Sequence, residues 1–435
     1  MKYFLVFCLC LYGVVAKHEL YDGHAVYEVD VNNVDQIKVI NELEHQLYLD
    51  VWSHAIPGHP GQVLVPKVKR EQFENSLNNA GVQYKVLTEN IKDQLELEDR
   101  MLSAARTRSK ENGSRLSFDK IHTYEEVDAF MEELGKEYPD VVTVVLGGRS
   151  IEGRPIKYLR ISTTDFKDTS KPVVMMQSLL HCREWIGLPV SLYAIQKLVI
   201  DVTESDLAQN IDWIILPVAN PDGYIWTHTN ARFWRKNRAR GFVAGDFCLG
   251  VDLNRNFDIH WGTASSNNVC SDLYHGRGPF SEPETAVIRD ILARYSDRSA
   301  LFLDIHSFGS MILYGWGNGV LPPNGLFLNL VAVRMAHAID RVKWPSNRDY
   351  IVGNVAHVLY DASGSAGDYA MRAGVPLSYT YELPAYRNIG NTLQGFLVDP
   401  DFIEQAAFET WEGIKIGARS AVSYFRTLGH LRLNT

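Results

Sequence analysis

The chain has 435 residues, of which 46% are hydrophobic, 22% charged and 11% aromatic. This length is sufficient for one large domain with a complete core and a second, smaller unit, and the composition is that of an ordinary globular protein. The formal net charge of −9 argues against a general nucleic-acid binder, which needs a basic surface to displace counterions from phosphate.

The first 16 residues, MKYFLVFCLCLYGVVA, combine one lysine, an apolar run and small residues near Ala16. This pattern predicts a secretory signal peptide cleaved after about Ala16, and it is too short for a membrane-spanning stop-transfer helix. We therefore expect a secreted, extracellular protein that does not bind a membrane. Removal of the signal leaves three cysteines, enough for one disulfide and one free thiol. Asn112 begins an Asn-Gly-Ser sequon, a candidate glycosylation site.

Residues 21–89 alternate between short strand-like and helix-like segments. In chain order these are the strand AVYEVDV, the helix VDQIKVINELEHQL, the strands YLDVWS and GQVLVPK, the helix REQFENSLNNAG and the strand VQYKVL. The order β-α-β-β-α-β predicts a small ferredoxin-like α+β sandwich of about 70 residues.

The next segment, IKDQLELEDRMLSAARTRSKENGSR, is charged throughout and shows no convincing apolar face. It could begin as a helix, but from Ser103 we expect a polar linker in which a trypsin-like protease reaches Arg106, Arg108 or Arg115. An ordinary interdomain connector would have the same composition, and this segment alone does not exclude one.

After Phe118 the chain changes to apolar strands alternating with helices. Examples are the strands KPVVMMQSLL, DWIILPVA, ALFLDIHS and PLSYTYEL, and a helix that a capping box of Ser281 and Glu284 would open. Such strands predict an α/β fold whose sheet is covered by helices on both faces. Because chemistry in these sheets gathers at strand ends, the reactive stretch HCREW directly after the strand SLL is a candidate site.

His181 and Glu184 in this stretch are three residues apart, and both side chains are good zinc ligands. The pair alone is weak evidence, because His-x-x-Glu occurs by chance. His306 also follows an apolar strand, ALFLDI, and would complete a set of two histidines and one glutamate. That set leaves a fourth position open for water, as catalytic zinc sites do.

Several motifs occur together in a characteristic order: HCREW, NPDGYIWTHTNARFWRKNR, GVDLNRNF, DIHS, LYDASGSAGDY and YTYEL. With them the chain resembles the zinc metallocarboxypeptidases of the pancreatic carboxypeptidase A and B type, secreted as procarboxypeptidases, from about Tyr21 to its end. After the predicted signal peptide at 1–16, the resemblance implies an activation propeptide with its linker at 17–108. It also implies a catalytic domain at 109–435 with one Zn²⁺ and the family's mixed twisted α/β sheet.

The resemblance also assigns the residues of the reaction. His181, Glu184 and His306 match the zinc ligands, and Asp252 matches the carboxylate that holds the first imidazole. Glu382 matches the general base that takes a proton from the zinc-bound water. In the same way, Arg235 matches the cation that stabilises the oxyanion formed from the scissile carbonyl.

Four further matches concern the substrate. Asn254 and Arg255 match the pair that grips the terminal carboxylate, Tyr360 matches the mobile tyrosine that closes over it, and Arg183 matches a subsite arginine. Any of these residues taken singly would be read as a surface or packing residue, and their joint occurrence at the family's positions supports the functional assignment.

The resemblance further implies a disulfide between Cys248 and Cys270. Cys182 departs from the family, where Ala or Ser is usual. As the neighbour of His181 on an extended segment, Cys182 should point the other way, and we interpret it as a buried thiol rather than a redox or inhibitory one.

The family position that decides substrate preference corresponds to Gly367 in this sequence. A-type enzymes have an aliphatic residue there and B-type enzymes an aspartate, so glycine fits neither type. Asp304 stands where the family commonly has Ser, two residues before His306 and on the same face of a strand. We therefore expect Asp304 to lie deep in the cavity and to favour C-terminal Lys or Arg, whose charge would offset its burial. Alternatively, Asp304 is protonated or satisfied by neighbouring hydroxyls or water, and the pocket takes aliphatic or aromatic ends.

The sequence thus predicts a secreted, monomeric zymogen that removes single C-terminal residues from peptides after a trypsin-like protease activates it. Proteinaceous carboxypeptidase inhibitors are further expected partners. Two rival interpretations are a non-catalytic homologue that binds peptide or zinc, and a regulatory enzyme that trims prohormones. The complete set of ligands, base and oxyanion arginine argues against the first, and the activation segment argues against the second.

Overall fold

The computed structural model describes residues 17–111, 117–385, 393 and 395–433. The predicted signal peptide and Asn112 lie outside the described residues, as does the side chain of Arg108. In the described part of the chain, no helix is both long enough and apolar enough to cross a bilayer.

The first unit is the predicted ferredoxin-like sandwich. Its elements are β1 (Ala25–Asp30), α1 (Val34–Leu47), β2 (Asp50–Ser53), β3 (Gly61–Val65), α2 (Arg70–Asn79) and β4 (Gln83–Thr88). The strands form an antiparallel sheet in the order β2-β3-β1-β4. Inward-facing residues of β1 and β3, among them Tyr27 and Val63, pack with Ile40 of α1 and Phe73 of α2 in a separate hydrophobic core.

The segment after β4 corrects the expected polar linker, because helix α3 runs without interruption over Ile91–Glu111. One stripe of α3 is buried, namely Ile91, Leu95, Glu98, Leu102 and Ala105. The spacing of three or four residues is that of a helix face. The stripe is hard to see in the sequence because its middle position is a glutamate, whose partner comes from the following domain.

The larger unit follows. Its elements are α4 (Tyr124–Glu137), β5 (Val142–Arg149), β6 (Pro155–Ile161), β7 (Val173–Ser178), α5 (Gly187–Ile195), α6 (Ser205–Asn210), β8 (Asp212–Leu216), α7 (Pro221–Thr229), α8 (Pro283–Arg294), β9 (Ser299–Ser307), β10 (Met311–Tyr314), α9 (Gly325–Asp340), β11 (Ile351–Asn354), α10 (Val355–Val358), α11 (Ala366–Arg372), β12 (Leu377–Leu383) and α12 (Pro400–Leu433). Helices α9 and α12 were not among the predicted elements.

The eight strands of this unit form one mixed sheet in the order β11-β10-β12-β9-β7-β8-β6-β5. Alternate residues of β7 enter different cores: Val174 and Met176 pack with α5, α9 and α12, whereas Val173 and Met175 pack with α8 and α11. Helices therefore cover both faces of the sheet, which confirms the predicted fold class.

The capping box expected at the start of α8 is wrong. The Ser281 hydroxyl donates to Glu282 instead, and the Glu284 carboxylate accepts the backbone N–H of Ile151. Glu284 is fully buried, and this distant donor satisfies it better than the helix terminus would.

The sheet brings the site together through three parallel strands at its centre. β7 and β12 both pair in parallel with β9, so their carboxyl ends meet at one edge of the sheet. His181 and Glu184 follow β7, His306 lies near the end of β9, and Glu382 stands in register with His306 on β12. The chain leaves β7 through Leu179, a non-glycine residue with φ of 56°, and such backbone strain is typical of functional sites.

Candidate active site

The three predicted zinc ligands lie in contact. Glu184 Oε1 is 2.9 Å from His181 Nδ1, Glu184 Oε2 is 2.9 Å from His306 Nδ1, and the two Nδ1 atoms are 3.0 Å apart. All three residues are buried, and their candidate ligand atoms lie within 4.8 Å of one another. The donor set, two imidazoles and a carboxylate, is one that Zn²⁺ binds in catalytic sites.

Asp252 connects the first imidazole to the predicted oxyanion residue. Its Oδ1 lies 2.9 Å from His181 Nε2, and its Oδ2 accepts two hydrogen bonds from the Arg235 guanidinium at 3.0 and 3.2 Å. Burial opposes ionisation of Asp252, but Arg235 and His181 outweigh it and hold the pKa of this carboxyl well below its usual range. Asp252 therefore fixes the ring of His181 and the guanidinium of Arg235 together.

Glu382 faces the same cavity from β12. Burial, with the nearby Glu184 carboxylate, raises the pKa of Glu382 to about 8. A carboxyl group with a raised pKa beside a metal-ligand set is the environment in which a glutamate can accept and return a proton near neutral pH.

The residues predicted to bind a terminal carboxylate lie on the opposite wall. Asn254 Oδ1 accepts the N–H of Ala366 at 2.8 Å, and Arg255 donates to the Asn254 carbonyl at 2.7 Å and to the Tyr360 hydroxyl at 3.3 Å. Asn254, Arg255 and Tyr360 all line the cavity. The Nε of Arg255 is buried without a hydrogen-bond partner among the described residues.

Arg183 lies beside the cavity but is occupied by the first unit. Its Nη1 donates to Asp50 Oδ1 at 2.7 Å and to the carbonyl of Phe233 at 3.1 Å. The guanidinium also lies 4.4 Å from the ring centroid of Phe396. A subsite role for Arg183 therefore requires that the Asp50 contact be broken first.

The surroundings of Asp304 differ from those expected. Asp304 shares a face of β9 with His306, as expected, but its carboxylate is fully buried and is not among the residues found to line the cavity. Oδ1 accepts from Gln177 Nε2 at 2.9 Å, and Oδ2 lies 2.9 Å from His306 Nε2. Strand periodicity predicted the face correctly but not these two neighbours.

Gly367 does line the cavity, beside the hydroxyls of Ser378 and Thr380. A Cβ at Gly367 would come within 3.2 Å of Thr380 Oγ1, so the glycine leaves the space in front of these hydroxyls open. Asp368 also lines the cavity, and its Oδ2 accepts the N–H of Gly317 at 2.7 Å. Burial raises the pKa of Asp368 to about 6. Asp368 was not among the predicted site residues, although it directly follows Gly367.

Residues of the first unit close the cavity, which has a volume of about 270 Å³. Its walls include Glu44, Trp52 and His54 from that unit. The Trp52 ring packs 5.5 Å from Phe396, and the His54 ring lies 4.3 Å from Tyr360. Burial and the nearby Arg255 and Arg235 lower the pKa of His54 to about 4. The first unit therefore covers the site with neutral rings.

The three cysteines of the larger unit are placed as predicted. Cys248 and Cys270 form a disulfide, and Cys182 is a buried free thiol whose Sγ lies 2.9 Å from the carbonyl of Trp234. Burial raises the pKa of Cys182 well above its usual range. The thiol is therefore not poised for redox chemistry.

Comparison with known proteins identifies the family. Residues 127–413 match the family described as zinc carboxypeptidase, and residues 27–98 match the carboxypeptidase activation peptide. The chain belongs to the zinc carboxypeptidase family. Its activation peptide makes it a zymogen.

Relatives match this zinc carboxypeptidase along almost its full length. Carboxypeptidase B of Helicoverpa zea is 46% identical, over 98% of this chain and 100% of the relative. Carboxypeptidase A2 of Mus musculus is 34% identical, over 94% of this chain and 96% of the relative. The crystal structure of carboxypeptidase A from Helicoverpa armigera superposes with a TM-score of 0.91 at 70% identity, covering 93% of this chain and 99% of the other.

Proposed function

We propose that this zinc carboxypeptidase is a secreted digestive-type zymogen that removes neutral, aliphatic or aromatic residues from the C-termini of peptides. The observation that carries the reaction is the convergence of two imidazoles, one carboxylate and Glu382 at a single strand edge. His181, Glu184 and His306 would hold the zinc ion, which would polarise a water molecule and the scissile carbonyl.

The protein groups around that centre fit the remaining steps of amide hydrolysis. Glu382 accepts the proton of the attacking water and returns it to the leaving nitrogen, as its position on the cavity wall permits. Arg235, held by Asp252, presents its remaining N–H groups where negative charge develops on the carbonyl oxygen. Asp252 itself keeps a fixed position and charge throughout.

Restriction to a terminal residue follows from the opposite wall. Arg255 can form a bidentate pair with a carboxylate, and Asn254 adds an amide donor beside it. The Tyr360 hydroxyl, 3.3 Å from Arg255, would move with the bound carboxylate. A peptide that continues beyond this point would place an uncharged amide against a buried guanidinium, which is unfavourable.

The preference for a neutral side chain rests on the position of Asp304, whose carboxylate is occupied by Gln177 and His306. The remaining pocket offers Gly367, two hydroxyls and the apolar Leu313. Two of the relatives differ on this point, since the 70% identical structure is a carboxypeptidase A and the 46% identical relative is a carboxypeptidase B. One observation favours the basic preference instead, namely that Asp368 lines the pocket.

Turnover of matched peptides ending in Phe, Leu, Lys or Arg separates these preferences, with trypsin-treated enzyme and a phenanthroline control. Chelator-sensitive release of Phe or Leu above Lys and Arg supports the neutral pocket. Preferential release of Lys or Arg that disappears in D368N would assign a basic pocket to Asp368. Absence of turnover from folded, zinc-loaded enzyme would instead support a non-catalytic homologue.

Activation is proposed to begin with cleavage near Arg106 or Arg108 by a trypsin-like protease, dividing a propeptide at 17–108 from a catalytic domain at 109–435. The propeptide covers the cavity, and its Asp50 accepts a hydrogen bond from Arg183. Its departure would therefore open the substrate site and free Arg183. Proteinaceous inhibitors are proposed partners of the opened site. A 29% identical neighbour, bovine thrombin-activatable fibrinolysis inhibitor, was solved in complex with tick carboxypeptidase inhibitor.

A further inference from the structure

The carboxylate of Asp304 has no role in the reaction described above, although it is one of the most deeply buried charged groups of the chain. It is fully buried, and a buried carboxylate is costly unless donors or a positive charge compensate it. Oδ1 has the amide donor of Gln177. Oδ2 lies 2.9 Å from His306 Nε2 and makes no well-aligned hydrogen bond to the described residues. The imidazole of His306 is therefore its compensating partner.

The side of His306 that faces Asp304 is determined by the ligand cluster. Nδ1 points at Glu184 and at Nδ1 of His181, so a metal bound there takes the lone pair of Nδ1 and leaves the ring proton on Nε2. Asn254 Nδ2 is 3.3 Å from the same nitrogen. Because the Asn254 oxygen is engaged by the Ala366 N–H, that amide presents a donor to Nε2. Among the described residues in contact with Nε2, Asp304 is the one that offers an acceptor.

The two histidines thus have matching surroundings. Each directs Nδ1 to Glu184, and each has Nε2 2.9 Å from a buried aspartate, Asp252 for His181 and Asp304 for His306. Each aspartate is held in turn by a further donor, Arg235 in one case and Gln177 in the other. Carboxylates that accept the outer proton of a ligating histidine fix its tautomer and ring orientation and raise its basicity.

The charge around the two rings supports a cation at their centre. The two rings contact three buried carboxylates, those of Glu184, Asp252 and Asp304. Arg235 pairs with Asp252, so with neutral imidazoles these groups carry two excess negative charges. A divalent cation neutralises that excess. Without Asp304 the excess falls to one.

We propose that Asp304 is a positioning residue for zinc, which holds the proton on Nε2 of His306 and increases the affinity of the site for the metal. This inference rests on the proposed role of His306 as a zinc ligand. It replaces the expected role of Asp304 in substrate selection with a role in metal retention.

The test is the zinc dissociation constant of the intact proenzyme, measured by competition with a chromophoric chelator. D304N keeps the shape of the side chain and removes its charge. D252N is the positive comparison, because Asp252 contacts the other histidine ligand. D368N is the matched control, because it removes a buried carboxylate that contacts none of the three zinc-ligand residues. We expect D304N to raise the dissociation constant by about 10- to 100-fold, as loss of an outer carboxylate commonly does. D252N should act in the same direction, and D368N should leave the dissociation constant unchanged.

Thermal unfolding and circular dichroism of the metal-free proteins show whether each variant is folded. D304S, with a smaller uncharged side chain, provides the second variant if D304N does not fold. Wild-type zinc affinity in either folded variant would overturn the proposal, and so would an equal loss of affinity in D368N. Failure of the wild-type proenzyme to bind zinc would instead overturn the proposed function, so the two failures are distinguishable.

Discussion

The ion pair between Glu98 and Arg232 holds the activation segment on the catalytic domain, and its removal is the sharpest test of how the zymogen is kept closed. Both side chains are about 1% exposed. Arg232 donates to both carboxylate oxygens at 2.9 and 3.1 Å, and the Val398 N–H donates to Oε1 at 2.8 Å. Glu98→Gln keeps the shape but removes the charge and turns one acceptor into a donor.

Breaking one partner of a buried pair costs about 3–5 kcal/mol. Arg232 keeps a hydrogen bond to the carbonyl of Arg183 and its position over Trp185, so we take the lower value. About 3 kcal/mol corresponds to roughly 150-fold weaker binding of the cleaved propeptide. The assay is recovery of activity upon dilution after limited trypsin cleavage. Cleavage near Arg106 removes residue 98, so the mature enzymes of variant and wild type are identical.

Glu96→Gln is the matched control, because Glu96 lies exposed on the same helix and its loss changes the net charge equally. We expect E98Q to be released from inhibition at much lower dilution than wild type, and E96Q to behave like wild type. Equal behaviour of the two variants would refute the claim that the buried pair holds the propeptide.

Three further predictions follow from the site and its cover. Glu382→Gln should lower kcat by about 10²- to 10⁴-fold, the usual contribution of a general base, with zinc content unchanged by metal analysis. Burial, with nearby Asp272, raises the pKa of Glu44 from 4.5 to about 7. Because protonated Glu44 stabilises the docked propeptide, docking should be strongest below pH 4.5 and should weaken as the pH rises through 7. Thermal unfolding of the proenzyme across this pH range measures the change. Replacing Cys248 and Cys270 with Ala should destabilise the folded chain by about 3 kcal/mol for a separation of 22 residues, as measured by denaturant unfolding.

Each of these predictions has its own contradicting result. For Glu382, unchanged kcat in the glutamine variant would remove it from the reaction. For Glu44, E44Q should flatten the pH dependence between 4.5 and 7, and an unaltered profile would assign that dependence to other groups. For the disulfide, the double variant should unfold like the reduced wild type, and a large difference between them would indicate packing effects of the substitution.

Much of the site was predictable because its residues are signalled locally. His181, Glu184 and His306 stand at the ends of apolar strands, and parallel strands bring such ends to one edge. The first unit was equally predictable, since its strands and helices alternate at short range and its order admits few topologies. Strand periodicity also placed Asp304 on the correct face of β9.

The rest depended on neighbours far away in the chain. Gln177 donates a hydrogen bond to Asp304 although the two residues are 127 positions apart in the sequence. They lie opposite each other because of the register between β7 and β9. Glu98 is buried because Arg232, 134 residues away in the sequence, pairs with it. Without that partner in view, the segment that forms α3 looks like a charged linker with no apolar face. Periodicity within one segment predicts a direction for a side chain, but not which group will meet it.

The continuous helix α3 has a bearing on how quickly the zymogen can be switched on. Arg106 lies within its last turns and donates to the carbonyl of Ile121, whereas proteolysis is concentrated at exposed, poorly ordered segments. If activation proceeds by the proposed cleavage near Arg106, the protease must wait for these turns to open. The opening equilibrium then sets the fraction of molecules that can be cut. The speed of activation could then be adjusted by helix-stabilising or helix-weakening exchanges at exposed positions of α3, with the arginine and its flanking residues left intact.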